Sequence, residues 1–461
     1  MKNTINLMLS TAVATLIIGC GSPSSTGSST VVNNSAYIAF SPLVSARFDN
    51  LYKTDGTAAN TNLVTNSVLP HLGYNYSAIE NFMKDGNTVY IEIEDESLVN
   101  SSMFGRPLIY QLLKLDTTTD SLSQISNTKY TLLGTLKGFP HPKYMTSNGL
   151  FIYINPLPNT VGNYRDMEKI GSGGSTLQVI NNTGYKPDYL GYSAKVGDDI
   201  YVSAFTYPLP PSTTISDYTI LKLNTSLNKY EHISALDGYQ MLSMVKKGDF
   251  VYFIGNTSNI NLSVLRLFKY NLTTPNTPPV LVNGNISQSS NYLYAFNNSV
   301  YFVSHTATNN TTITGQVNKL DLNTNQVSTL ISVPYALNDS KTFGKFVEFQ
   351  NSLYLVSNHH LFKIDNSNAV NLTTSVTIPD NVVYEANGKL YFGADDGSIG
   401  TELYEYDGTN VNLVKDINLG AGSSIPRHIT ELNGDIVFQA SQDGTNNKLF
   451  KLHNNTLTSL N

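Results

Sequence analysis

Apolar and polar positions in this chain alternate over short runs, and turn residues break the runs at regular intervals, the pattern of half-buried β-strands. A turn followed by an aliphatic-aromatic strand recurs nine times. The copies are NNSAYIAF ending at Phe40, GNTVYIEI at 86–93, NGLFIYI at 148–154, GDDIYVSA at 197–204, GDFVYFIG at 248–255, NNSVYFVS at 297–304, QNSLYLVS at 350–357, NGKLYFGA at 387–394 and NGDIVFQA at 433–440. One column position in them holds Tyr37, Tyr90, Phe151, Tyr201, Tyr252, Tyr301, Tyr354, Tyr391 and Val437, at spacings of 53, 61, 50, 51, 49, 53, 37 and 46 residues. Each copy carries three further strand-like pieces. One precedes the turn, as in NYLYAF before Asn297. A second follows a variable connection: LYKTDG at 51–56, ILKLN at 220–224, LFKYN at 267–271, LFKID at 361–365, ELYEYDG at 402–408 and KLFKLH at 448–453. The last is a short apolar piece such as NLVTN at 62–66. The pieces are rich in β-branched and aromatic residues, and Asn-Gly and Asp-Gly favour two-residue hairpin turns. No long segment has helical period.

Four short antiparallel strands per unit of about 50 residues describe a propeller blade. The expectation is an all-β chain: a β-propeller of four-stranded antiparallel blades. Eight blades are favoured, because propellers usually have four to eight; seven or nine are the alternatives. The first copy is the weakest, since only Ser29-Thr30-Val31-Val32 can supply its inner strand. An array of β-sandwiches is the competing architecture, but it would not give so strict a turn-tyrosine repeat.

Two resemblances add to this. Glu402-Leu403-Tyr404-Glu405-Tyr406-Asp407-Gly408-Thr409 is similar to the E-L-W-x-x-D-G-T repeat of bacterial surface proteins, as are Leu413 to Asn418, Gly422 to Pro426 with Asn433-Gly434, and Leu51 to Thr61. Together these stretches hold 32 residues. Tyr52, Tyr404 and Phe450 stand where that family has Trp, so an aromatic is kept, with packing between blades as the implied role. The resemblance implies an exported propeller and brings no catalytic residue with it. At the other resemblance, Met1 to Cys20, a short basic start at Lys2 leads into an apolar stretch, Ile5 to Ile18, too short for an ordinary membrane span. It ends in Leu16-Ile17-Ile18-Gly19-Cys20, which resembles a bacterial lipobox. The resemblance implies that Cys20 is diacylated and becomes the first mature residue. Gly21 is not the Asp associated with inner-membrane retention, so it implies an outer-membrane or cell-surface location. The alternative is an ordinary secretory signal with a chance cysteine. Residues 21–30, GSPSSTGSST, read as a flexible tether, and 31–461 as one propeller domain.

Composition narrows the function. The chain has one Cys among 461 residues, which excludes an internal disulfide framework and a Cys-rich zinc module. A net charge of −6 argues against nucleic acid as a partner, since phosphate binding needs an excess of Lys and Arg. Charged residues are 13% of the chain, against about 25% in typical domains.

In a four-stranded meander, connections 1–2 and 3–4 emerge on one face, and 2–3 and 4–1 on the other. The 2–3 connections are long and differ between copies: 155–164, 206–218 and 305–315 are examples. Variable loops on a rigid scaffold are where binding usually sits. Tyr164, Tyr207, Tyr218, His305, His359 and His360 are the ligand-binding candidates there, since aromatic faces with polar tips suit sugars and peptides. The opposing reading is that these side chains pack their own loops, with Tyr207 bracing Pro208-Leu209-Pro210-Pro211.

Metal and catalytic signals are weak. Glu92, Glu94, Asp95 and Glu96 form an acidic run, and Asp395-Asp396-Gly397 with Glu402 is a conceivable Ca²⁺ loop, but it misses the spacing of known calcium motifs. The ordinary readings are a solvated strand end and a polar hairpin connection. Adjacent His359 and His360 on a strand would point to opposite faces, a poor arrangement for one metal. Gly171 to Ser175 is no phosphate loop, lacking a following helix and Lys, and no H-E-x-x-H or G-x-S-x-G is present. A glycosidase-type carboxylate pair cannot be located from sequence. The expected function is a lipid-anchored binding module for glycan, peptide or protein, with no cofactor beyond a possible Ca²⁺. An exported polysaccharide hydrolase or lyase, and an envelope assembly scaffold, are the alternatives.

Overall fold

The computed structural model describes residues 29–32, 34–44, 50–64, 77–95, 108–125, 130–132, 143–154, 166–171, 176–187, 192–206, 217–257, 264–287, 293–307, 312–336, 343–365, 367–380 and 382–461. These form nine antiparallel sheets, each built from one continuous stretch of chain in strand order 1-2-3-4. Blade one is Ser29–Leu63, two Ser77–Leu132, three Lys143–Gln178, four Lys186–Glu231, five Tyr239–Ser287, six Leu293–Ala336, seven Phe343–Asn371, eight Tyr384–Lys415 and nine Arg427–Ser459. The nine repeats are nine blades, one more than the favoured eight. The doubtful first copy is complete: Ser29–Val32 pairs along its whole length with Ser35–Phe40, so the sheet begins two residues before the end of the segment read as tether. In blade two the fourth strand is split, and in blade four the first.

Period-two alternation on the second strands builds the ring. The column residue faces the following blade, and its two neighbours face the preceding one. Tyr37 packs with Val89 and Ile91, Tyr90 with Leu150 and Ile152, and Phe151 with Ile200 and Val202. The same relation repeats through Tyr201, Tyr252, Tyr301, Tyr354 and Tyr391. At the end, Val437 of blade nine packs with Ala36, Ile38 and Phe40 of blade one, and the ring is closed. Each fully buried Val, Leu, Ile or Phe contributes about 1.5–3 kcal/mol, so nine such interfaces are the main stabilising term. Closure is reinforced by polar contacts across the seam. Ser41 N donates to Gln439 Oε1 at 2.9 Å, Asn447 N to Pro42 O at 2.9 Å and Val44 N to Thr445 O at 2.9 Å.

The first strands are innermost. Ser29–Val32 lies against the first strands of blades two and nine, and the first strands of blades four, five and six adjoin in series. They surround the axis, and the fourth strands form the rim.

A second column was not expected. Opposite the column position, on the third strand, stand Lys53, Lys114, Lys169, Lys222, Lys269, Lys319 and Lys363, each across from an aromatic residue, and Lys451 across from Val437. Cross-strand pairs share one face of the sheet. Lys53, Lys169, Lys269 and Lys363 therefore lie 5.6–5.9 Å from the rings of Tyr37, Phe151, Tyr252 and Tyr354. Blade eight inverts the charge, with Glu405 opposite Tyr391 and Lys389 bonded to Glu405 at 2.7 Å. The charged stems cover aromatic surface while their heads reach water or a carboxylate.

Candidate functional site

The two faces are built differently. On the face of the 1–2 and 3–4 connections, hairpin turns are tight: Gln350-Asn351, Asn387-Gly388, Asn433-Gly434 and Asn454-Asn455 each place both central residues at positive φ, the geometry that matches strand twist. The 3–4 connections repeat one device. Asp55, Asp116, Asn224, Asn271, Asp321, Asp365 and Asp407 end or directly follow the third strand of seven blades, and each side-chain oxygen accepts from a backbone N–H two or three residues on. The D-G-T of the repeat is this turn. Hydroxyl and backbone donors of the turns hold the carboxyls of Asp55, Asp116, Asp321, Asp365 and Asp407 below their ordinary pKa, so this face carries fixed negative charge. Neighbouring blades are tied here too, as by Ser147 Oγ to Asp198 at 2.6 Å and Asn387 Nδ2 to Gly434 O at 2.8 Å.

The opposite face carries the long 2–3 and 4–1 connections. Tyr164, Tyr207 and Glu96 lie outside the described residues. Tyr218 is on the third strand of blade four, half-buried, with its ring edge-on to Phe205 at 6.4 Å. It packs its own sheet. His305 is within the second strand of blade six, Ser299–Ala307, because pairing continues as far as Ala307↔Ile313 and shortens the connection placed at 305–315. His359 does not lie on a strand: with Asn358 it forms a two-residue turn, both at positive φ, and His360 opens the third strand. Their Nδ1 atoms bond to Ile378 O at 3.2 Å and Thr373 O at 3.0 Å, so both rings tie the turn to the connection between blades seven and eight.

The calcium candidates are also structural. Asp395 Oδ1 accepts from Gly397 N at 2.7 Å, and Asp396 Oδ1 from Ser398 N at 2.8 Å. Glu402 turns away from them and is fully buried. Its oxygens accept from Ile417 N at 2.7 Å, Ser424 N at 2.9 Å and Ser424 Oγ at 2.7 Å. Burial pushes this carboxyl above its ordinary pKa, and these donors oppose the shift. Glu92 is not at a solvated strand end: it is buried beside the blade-two column. Asp95 closes that strand, paired with Ser77 and Ile109. Among the described residues, no group of three or more His, Cys, Asp or Glu could hold a metal ion.

What shapes this face is the axis mouth. Four first strands carry a bulge near their mouth end: at Ile79/Asn81, Met241/Ser243, Phe343/Phe346 and Arg427/Thr430. Bulges re-aim side chains and gather beside functional sites. The last contains His428, which sits at φ +57° with its ring buried, and whose backbone N–H donates to Tyr384 Oη at 3.2 Å. Arg427 Nη2 meets Asp380 Oδ2 at 3.1 Å on the rim beside it. Sequence reasoning missed this group; no motif marks it, and a left-handed His is invisible in the letters.

Burial pushes the His428 imidazole down to about 3, and Arg427 adds to the shift. It stays neutral near pH 7, where a pKa so far below the medium suits hydrogen bonding better than proton transfer. The folded value lies below the unfolded value of about 6.5, so the unfolded chain takes up a proton that the native chain does not. Stability is fully present above about pH 6.5 and is lost as pH falls, by about 2 kcal/mol at pH 5 from this group. His428→Asn, which tolerates the left-handed backbone, is expected to flatten the urea-midpoint profile between pH 7 and 5; an unchanged profile would remove the assignment.

No family model matches the sequence, and no curated protein matches it. Solved structures do. A Mycobacterium tuberculosis puromycin-hydrolyzing peptidase is 12% identical, over 79% of this chain and 58% of that one, with a TM-score of 0.43. Porphyromonas gingivalis dipeptidyl peptidase 4 is 10% identical, over 96% of this chain and 59% of that one, also at 0.43. The β-propeller domain of the Trilobed protease from Pyrococcus furiosus is 8% identical, over 84% and 95%, at 0.33. The chain thus spans less than two thirds of the two peptidases. No activity is carried across.

Proposed function

We propose that this is an exported lipoprotein, acylated at Cys20, whose nine-bladed propeller binds a glycan, peptide or protein through the long-connection face and the axis mouth. The observation that supports the reading is the asymmetry of the faces. One is knit by repeated tight turns, leaving little to vary. The other combines long, dissimilar connections with four bulges around the mouth. Tyr164 and Tyr207 are the aromatic contacts we assign to the ligand. Soluble protein comprising 21–461, applied to glycan and surface-protein arrays, is expected to bind reproducibly. The double variant Tyr164→Ala/Tyr207→Ala is expected to lose at least tenfold in affinity, about 1.4 kcal/mol. Full retention of binding by that variant would overturn the assigned face.

A further inference from the structure

The chain enters the propeller at a defined place. Ser29 pairs with Ile38 near the end of the second strand, whereas Val32 pairs with Ser35 at the hairpin. Beyond that same end, Ser41–Val44 is hydrogen-bonded to Thr445–Asn447, around the 2–3 connection of blade nine. Ser29 is therefore on the long-connection face. Its strand is innermost, so the entry point is at the axis, in the middle of that face.

We propose that the long-connection face is turned toward the bilayer that holds Cys20. This rests on the acylation of Cys20 proposed above. Nine residue steps separate Cys20 from Ser29 and reach at most about 30 Å. An eight-residue strand such as Asp199–Thr206 spans about 26 Å, which sets the thickness of the body. Sheets packed about 10 Å apart in a ring of nine put mid-blade about 14 Å from the axis and the rim strand roughly 20 Å out. To lay the turn face on the membrane, the tether would have to cross that radius and then descend the side, roughly 46 Å in all. Running back down the axis would consume nearly its whole reach.

The long-connection face presents Leu419, 83% exposed, on the connection that Glu402 fixes.

The test uses the whole acylated protein in vesicles bearing a headgroup-attached fluorescence quencher. Cys20 is the only cysteine and is blocked by acylation, so one introduced thiol takes the fluorophore. Leu419→Cys marks the long-connection face. Leu227→Cys, at a position 60% exposed in the 3–4 turn of blade four, marks the other. Quenching is expected to be severalfold stronger at 419 than at 227; equal or reversed quenching would overturn the orientation. Flotation separates the premises. A protein that floats with vesicles but is quenched equally refutes the orientation alone, and one that does not float refutes the anchor and the orientation together.

Discussion

Gly255→Ala is expected to destabilise the protein by about 4 kcal/mol or more, read as a drop in the urea midpoint, or to prevent folding. The residue lies near the end of the column strand of blade five, Phe250–Thr257, paired with Met241 at the bulge between Met241 and Ser243. A Cβ there would lie 1.9 Å from Gln240 O and 3.3 Å from Met241 Cα, both backbone atoms. Nothing flexible can move aside, so the first strand itself must shift, and with it the mouth of the axis. Gly393→Ala is the control. Its nearest neighbours are side-chain atoms of Thr401 and Pro426 at 3.3–3.5 Å, which can give by a few tenths of an ångström. It should cost about 1 kcal/mol, at the low end for overpacking. Equal effects from the two substitutions would show that the close approach at Gly255 is not a constraint.

The second large effect belongs to Glu402→Ala. The substitution leaves the N–H groups of Ile417 and Ser424 and the Ser424 hydroxyl without their acceptor in a buried site. Each orphaned donor costs about 1–3 kcal/mol, so the total is about 3–5 kcal/mol once partial relaxation is allowed for. The loss should be local. Hydrogen exchange at Ile417 and Ser424 is expected to rise by orders of magnitude, with protease cleavage near the exposed Leu419, while the remote column strands keep their protection. Glu402→Gln should fall between, because its amide turns a donor toward donors. Unaltered exchange in the alanine variant would refute the anchoring role.

These two residues also show what could be read from letters. Strands, turns and the repeat were legible because they follow from period-two patterning and from Asn-Gly chemistry, both local. The blade number was not. Nine copies were countable, but whether the ends meet is decided by Val437 against Ala36 and Ile38, residues at opposite ends of the chain. Glu402 was visible as the first letter of a motif, yet its job depends on Ser424, 22 residues away across a connection. The lysine column stood in plain view in LYKTDG, LFKYN, LFKID and KLFKLH. Its meaning needed the register that puts Lys53, Lys269 and Lys363 opposite aromatic rings and Lys451 opposite Val437. His359 and His360 illustrate the reverse: a conspicuous pair that backbone carbonyls employ in holding a turn.

The seam between blades nine and one has a consequence for how the protein is made. Eight interfaces join blades consecutive in the chain, so an arc can grow by local association as successive repeats form. The ninth brings together Ser41 and Gln439, 398 residues apart. Its entropic penalty rises only logarithmically with that distance, so closure is feasible but late. Until it happens, Ala36, Ile38 and Phe40 at one end and Val437 and Leu449 at the other are uncovered, and they are complementary. Two unfinished arcs can satisfy each other as readily as one can satisfy itself. The yield of folded protein should therefore fall with chain concentration during refolding, with head-to-tail oligomers as the competing product.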